Sequence, residues 1–194
     1  YMHRYNILID GQVIANVRTT QPLFERYVYA LPQLSAGSHT LTFQGINDNV
    51  DRTSLLDDVR IERTGDAQIE ATVPNGMFEV SDDLPGTYAL VASDRGYYSW
   101  NTLGNSGWTF NNDSGISEGF TPWVSQRKVA EGSRTAYVHE TRGVMSTTVD
   151  FPTNGVYELS FLTAARPYWS IGSADYHNLY DYQVRFDGAV IAYR

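Results

Sequence analysis

The segment 47–51 carries oxygen-bearing side chains that could hold a metal ion. Asn47, Asn49 and Asp51 occupy alternate positions in a loop between two predicted strands. Amide and carboxylate oxygens at this spacing suit Ca²⁺. The loop has neither the sharp-turn glycine nor the distal glutamate of an EF-hand loop. A solvated turn closed by its own Asn and Asp side chains is therefore the alternative interpretation.

Two groups of aromatic residues are candidates for ligand contact. The first lies in a region rich in Gly, Ser and Asn, and the second follows an Arg-Pro dipeptide. The candidate residues are Tyr97, Tyr98, Trp100, Arg166, Tyr168 and Trp169. Exposed rings stack on the faces of sugars, and nearby Asn or Arg bonds to the hydroxyls. Alternatively, the rings close the ends of the fold or form a protein interface, and Arg166 is a buried structural arginine.

The sequence contains no recognisable catalytic motif. Its four histidines lack metalloprotease spacing, and no G-x-S-x-G, phosphate loop or paired-carboxylate motif is present. The absence of cysteine excludes thiol nucleophiles, disulfides and cysteine-ligated metals. We therefore expect a protein that is not an enzyme.

The charge distribution argues against two classes of partner. The formal net charge is −8, and Lys128 is the only lysine beside 13 arginines, with no basic stripe. Nucleic acid and anionic membrane surfaces are therefore not expected partners. No run of 18 apolar residues occurs, so no membrane span is expected.

The elements that must position the candidate residues are predicted to be β-strands. Apolar and polar residues alternate in 38–45, 55–62 and 156–162, which is the period of a half-buried strand. Gly precedes most of these runs, and no stretch has a convincing helical period. Aromatic residues at 13% and 16 glycines are typical of a chain with many strands and turns. The sequence therefore predicts an all-β sandwich.

One predicted hairpin occurs twice. Residues 5–15 match residues 182–192 at six of eleven positions, without gaps and at a constant offset of 177. Both segments have the pattern strand, Asp-Gly turn, strand. A single Asp-Gly hairpin recurs by chance, but six ungapped identities indicate a true repeat. The chain is therefore expected to be one period cut from a tandem array, with its ends in mid-domain.

Several motifs resemble those of a known family. Residues 75–79, Asn-Gly-Met-Phe-Glu, resemble the opening N-G-x-F-E of galactose-binding-like jelly-roll modules, which occur in bacterial surface proteins and plant cell-wall proteins. The resemblance continues through 106–110, 131–138 and 155–161. Residues 5–62 resemble the closing half of such a module. The resemblance implies a β-sandwich of jelly-roll type.

The order of the two halves differs from that of the family. The family's opening half comes first, whereas here residues 1–64 form the closing half, 65–74 a junction and 75–194 the opening half of the next repeat. A tandem array cut between domain halves has this order. We expect each half to complete its sheet with the complementary half of an adjacent copy. The alternative is a permuted monomer, in which 5–62 fold back onto 75–180 and one hairpin is left over.

The resemblance also implies a second calcium site. Related carbohydrate-binding jelly rolls often hold a structural Ca²⁺ between their first and last strands, where Asp57 and Glu79 would lie. Strict alternation places Asp57 on the same face as Val59 and Ile61, and a carboxylate on an apolar face needs a cation or several donors. Backbone N–H groups or an arginine could satisfy it instead. Asp58, expected to face outward beside Arg60, is the weaker candidate.

Two function classes follow from these patterns. The first is a non-catalytic structural repeat of an extracellular or cell-surface fibre, sheath or adhesin, in which copies contact one another head to tail. The second is a carbohydrate-binding module that stacks polysaccharide on its loop aromatics. The internal repeat favours the first class, and the family resemblance is compatible with the second.

Overall fold

A computed structural model describes most of the sandwich. The residues it describes are 3–46, 53–79, 107–111, 114–118, 130, 132, 134–139, 143–166, 183–186 and 189–193. The regular secondary structure in these residues consists entirely of β-strands. Within them, no helix is long and apolar enough to cross a membrane. The prediction of an all-β chain is confirmed.

The strands follow one another closely in the first third of the chain. In chain order they are β1 His3–Ile9, β2 Gln12–Thr19, β3 Glu25–Ala30, β4 Gly37–Gly45, β5 Thr53–Arg63, β6 Asp66–Glu70, β7 Thr109–Asn111, β8 Ser114–Glu118, β9 Arg134–His139, β10 Val144–Phe151, β11 Tyr157–Ala165, β12 Gln183–Phe186 and β13 Ala189–Tyr193.

Strands β1 to β11 form two antiparallel sheets that pack face to face. The first sheet has the order β2-β1-β4-β10-β7, and the second has the order β3-β11-β5-β9-β8, with β6 also paired to β5. Leu41 and Phe43 of β4 and Tyr157, Leu159 and Phe161 of β11 are fully buried, as their alternation predicts. The Phe43 and Phe161 rings meet edge to face between the sheets, 5.5 Å apart. The fold is therefore a β-sandwich whose main hydrophobic cluster takes residues from both sheets, with a smaller cluster around Leu55, Tyr137 and Ala164.

The two halves of the chain complete each other within one sandwich. From the first half, β4 pairs with β10 over the whole length of β10, and β5 pairs with β11 and β9. Strands β12 and β13 pair with each other in a separate two-stranded sheet. This pairing corresponds to the intrachain alternative, with β12–β13 as the hairpin outside the two main sheets; completion of the sheets by an adjacent copy stays a prediction.

The segment between the halves explains this outcome. Strand β6 pairs with β5, Thr72 bridges to Asp150, and the Val59 amide donates to the Gly76 carbonyl at 2.9 Å. The predicted junction at 65–74 is thus bonded to the sandwich along its length. A short, anchored connection gives the two halves a high effective concentration for each other. Pairing within one chain is favoured for this reason.

A β-bulge in β5 corrects the predicted position of Asp57. Arg60 pairs with Ser160 and Asp57 with Leu162, so β5 has one more residue than β11 between these pairs. The extra residue lies at Asp58, whose φ is +46°. Such a bulge shifts the phase of alternation. Asp57 therefore lies on the outer face with Arg60, and the expectation that it shares a face with Ile61 is wrong.

Candidate functional site: the duplicated hairpin

The first hairpin, β1–β2, is part of the first sheet. Strand β1 pairs with β4 from Tyr5 opposite Gly45 to Ile9 opposite Leu41. The side chains of Tyr5, Ile7 and Ile9 point into the core and are almost completely buried. Their alternation with more exposed neighbours fixes which face of the hairpin meets the second sheet.

Tyr5 links the hairpin to the opposite sheet. Its ring is 0% exposed and lies near the rings of Phe43 and Phe161. Its hydroxyl donates to Thr163 Oγ1 at 3.1 Å, and Thr163 in turn donates to the Leu55 carbonyl at 2.8 Å. Burial raises the pKa of the Tyr5 hydroxyl well above its ordinary value. The neutral hydroxyl is therefore a hydrogen-bond donor that crosses the core.

The Asp-Gly turn fastens the tip of the hairpin to β4. Asp10 and Gly11 both have positive φ, +49° and +79°, as a two-residue hairpin turn requires. Asp10 Oδ1 accepts from the Thr40 amide at 2.8 Å, and the Asp10 amide donates to the Thr40 carbonyl at 2.9 Å. Asp10 Oδ2 lies 2.6 Å from Nδ1 of His39. Sequence analysis did not find this contact, because it depends on the pairing of β1 with β4.

His39 is held in a position that suits its protonated form. Its Nδ1 faces the Asp10 carboxylate, and its Nε2 lies 3.1 Å from the Ser35 carbonyl oxygen. Both of these oxygens are acceptors, so the protonated ring can donate to both; the Ser35 hydroxyl also lies 3.3 Å from Nε2. The hydrogen bond with Asp10 raises the pKa of His39, although partial burial opposes this. The hydrogen bonds from His39 and the Thr40 amide lower the pKa of Asp10.

The second hairpin, β12–β13, has the same register as the first. After the offset of 177, every pair of β12–β13 matches a pair of β1–β2: Val184 opposite Ala192 corresponds to Ile7 opposite Ala15, for example. The register shift also coincides, between Ile7 and Leu8 in one hairpin and between Val184 and Arg185 in the other. The repeat in sequence is therefore also a repeat in backbone pairing.

The pattern of substitution follows burial in the first hairpin. The buried positions 5, 7 and 9 are Tyr, Ile and Ile in β1, and their equivalents 182, 184 and 186 are Tyr, Val and Phe. The polar or charged substitutions fall at positions 6 and 8, which are only half-buried. The second hairpin thus keeps the residue types that the first uses to enter a core.

No protein-family description, curated protein or solved structure matches this chain. The duplicated hairpin is therefore the feature from which function must be argued.

The two carboxylates predicted to hold calcium lie near the same end of β9. Asp57 is 0% exposed, and its Oδ1 accepts from the Asp58 amide at 2.8 Å. It follows Leu56, whose carbonyl accepts from Thr135 Oγ1 at 2.7 Å. Glu79 Oε1 accepts from the amide of Arg134, the neighbour of Thr135, at 2.8 Å. In the described ranges no group of three or more acidic or histidine side chains that could hold a metal ion is present.

The motif at 75–79 has a structural role at each step. Asn75 and Phe78 have positive φ, and the fully buried Phe78 ring lies 5.3 Å from that of Trp108. A methyl group on Gly76 would overlap the Val59 carbonyl oxygen. Trp108 donates from Nε1 to the Pro74 carbonyl at 2.8 Å. The motif therefore closes the sandwich and places Glu79 beside β9.

The carboxylate of Asp58 accepts hydrogen bonds from two arginines. It is 2% exposed and accepts from Arg26 Nη2 and from Arg60 Nε, the latter at 2.5 Å. Burial opposes its ionisation, but the hydrogen bonds from the two arginines lower its pKa overall. Asp58 thus contacts Arg60 as expected, but it is buried and not exposed. The bulge that places it there leaves no trace in the polarity pattern.

A buried polar cluster joins the two sheets at one end of the core. Ser54 Oγ lies 2.8 Å from Nδ1 of His3 and 2.8 Å from Oγ1 of Thr19. A serine beside a histidine is a pattern found in hydrolases. Here both residues are at most 1% exposed, so the pair is almost completely buried in the core. Its hydrogen bonds satisfy polar groups inside the core and fix how the sheets face each other.

Of the ligand-contact candidates, Arg166 belongs to the described residues. It follows β11, is half-buried, and its amide donates to the Thr53 carbonyl at 2.9 Å. The other candidates lie outside the described residues: Tyr97, Tyr98, Trp100, Tyr168 and Trp169, and the loop residues Asn47, Asn49 and Asp51.

Proposed function

We propose that the chain is a non-catalytic structural repeat of an extracellular fibre, sheath or adhesin, in which copies follow one another head to tail. The observation that carries this proposal is the equivalence of the two hairpins in sequence, pairing register and bulge position. A chance hairpin would share an Asp-Gly turn. These two hairpins also share six of eleven residues without a gap and the position of the register shift.

The equivalence defines one period of the array. If the repeat begins at Tyr5, one period spans residues 5–181 and contains every strand of the sandwich from Tyr5 onward. Strands β12 and β13 are then the first hairpin of the next copy. Each contact between copies joins different surfaces of the two partners, and such contacts propagate into a filament unless a rotation closes them into a ring.

The extracellular location rests on the family resemblance of residues 75–79 and the motifs that follow them. Jelly-roll modules of that type are expected in surface proteins, and a structural Ca²⁺ near Asp57 and Glu79 would suit that setting. A fibre repeat also needs no reactive group: its requirements are a rigid core and a reproducible contact between copies.

Labelling of intact source cells tests the proposal. An antibody raised against the 194-residue chain should decorate extended surface structures, with gold particles at a regular spacing in electron micrographs. The matched control is labelling after permeabilisation, which should add little signal. Label that appears only after permeabilisation would contradict the proposal.

A further inference from the structure

Two hairpins of the chain carry the residue types that the place of β1–β2 in the first sheet takes. Strand β4 pairs with β10 on one side and with β1 on the other. The core beneath β1 takes the side chains of Tyr5, Ile7 and Ile9. The chain also carries Tyr182, Val184 and Phe186 at the equivalent positions of a hairpin that lies in a separate sheet.

We propose that the hairpin β12–β13 of one copy docks beside β4 of a second copy, in the position that β1–β2 otherwise occupies. This inference rests on the proposed repeat function and specifies the contact between copies. In the docked state Arg185 lies opposite Thr42, because its equivalent Leu8 does so in the first hairpin.

The connection to the sandwich allows this reach. Residues 166–182 separate β11 from β12, and 17 extended residues span at most about 56 Å at ~3.3 Å each. This length exceeds the width of a β-sandwich of two sheets that pack about 10 Å apart. The number of residues between β11 and β12 therefore does not by itself prevent the hairpin from lying beside the first sheet of a second copy.

Cysteine cross-linking tests the register directly, because the chain has no cysteine of its own. The acceptor is Thr42→Cys, and the donor is Arg185→Cys with a tag that changes its mass. The two proteins are unfolded together in urea and refolded as a mixture, so that own and foreign hairpins compete for β4. Directly opposed residues of antiparallel strands lie within disulfide reach, whereas a shift of two residues places them beyond it.

The control is a donor in which Gln183 is replaced. Gln183 is equivalent to Asn6, which lies opposite Gln44. Arg185→Cys should therefore cross-link several-fold more to Thr42→Cys than to Gln44→Cys, and Gln183→Cys should show the reverse preference. Leu8→Cys with Thr42→Cys in one chain should form an intrachain disulfide, which shows that the substituted chains fold.

The outcomes separate this inference from the function on which it rests. Register-specific cross-linking between chains supports the docking of β12–β13 on a second copy. If the intrachain disulfide forms but chains do not cross-link, or do so without preference for register, the docking inference is wrong. The repeat function would stand in that case if copies at the same period flank the chain.

Discussion

Replacing Tyr5 and Tyr182 separately tests which of the two hairpins belongs to the core of this chain's sandwich. The two tyrosines are equivalent in the repeat, so the substitutions are chemically identical. Tyr5 is fully buried and contacts Phe43, Phe161 and Thr163. Strands β12 and β13 form a separate sheet, so a change at Tyr182 should leave the sandwich intact.

The expected difference is large. Truncating a fully buried aromatic ring to alanine costs about 3–5 kcal/mol of unfolding free energy, because transfer and cavity costs add. With a urea m-value near ~2 kcal/mol/M, Tyr5→Ala should lower the unfolding midpoint by roughly 2 M. Tyr182→Ala should change the free energy of unfolding by no more than about 0.5 kcal/mol, because the adjoining strand β12 pairs with β13 and not with a strand of the sandwich.

Equilibrium unfolding in urea, followed by far-ultraviolet circular dichroism, measures both variants on one scale. Tyr5→Phe is the conservative companion. It keeps the ring and loses one hydrogen bond, for a cost of about 0.5–1.5 kcal/mol. If Tyr182→Ala destabilised the chain as much as Tyr5→Ala, the assignment of β1–β2 to the sandwich and of β12–β13 to a second unit would be wrong.

Four further predictions concern the sites described above. The pKa of Asp10 is lowered from 3.8 and that of His39 is raised from 6.5, so their interaction stabilises the fold most between about pH 4 and 6.5. It weakens as pH falls through the Asp10 pKa or rises through the His39 pKa. Because Asp10 is 50% exposed, Asp10→Asn should lower the free energy of unfolding by only about 0.2–1 kcal/mol in that window. The control, Asp187→Asn, should not lower it. If the stability of wild type and Asp10→Asn depended on pH in the same way, the pairing of Asp10 with His39 would be contradicted. Ca²⁺ at about a hundredfold over Kd should stabilise the fold by ~2.7 kcal/mol. This gain should disappear on chelation or in Asp57→Asn or Glu79→Gln; a thermal midpoint that does not respond to Ca²⁺ argues against the site. Gly76→Ala should cost about 3 kcal/mol, the upper end for overpacking, because the added methyl would overlap the Val59 carbonyl oxygen. Gly65→Ala has open space around it and should show only the ~1–2 kcal/mol of its left-handed backbone; equal losses in the two variants would refute the steric argument. The last prediction concerns alanine in place of Tyr97, Tyr98, Trp100, Tyr168 or Trp169. Replacing an anchor residue should weaken glycan binding or assembly by at least about 2 kcal/mol without lowering the unfolding midpoint. The prediction is wrong if binding and assembly stay unchanged in all five variants.

Strands with a regular alternation could be predicted closely from the sequence. The segments 38–45 and 156–162 correspond to β4 and β11, and their apolar positions are the buried ones. The register of β12–β13 followed from the sequence repeat. In each case the information is local, since a period of two residues and an Asp-Gly turn are visible within about ten residues.

Features that depend on pairing between distant segments could not be predicted. The bulge at Asp58 shifts the phase of β5 through a backbone conformation that the polarity pattern does not record. One arginine partner of Asp58 is Arg26 of β3. It lies near Asp58 because both β3 and β5 pair with β11. The contact between Asp10 and His39 likewise needs the pairing of β1 with β4. The order of strands within the sheets decides these contacts.

Sequencing the gene on both sides of this segment tests the repeat most directly. The account predicts that the residues after Arg194 continue the first copy at an offset of 177. A counterpart of strand β4, Gly37–Gly45, with its pattern Gly-Ser-His-Thr-Leu-Thr-Phe, should then begin about 20 residues downstream. A counterpart of β11 should lie upstream of Tyr1 at the same offset. If neither flank contained such a counterpart, the chain would not be one period of a tandem array.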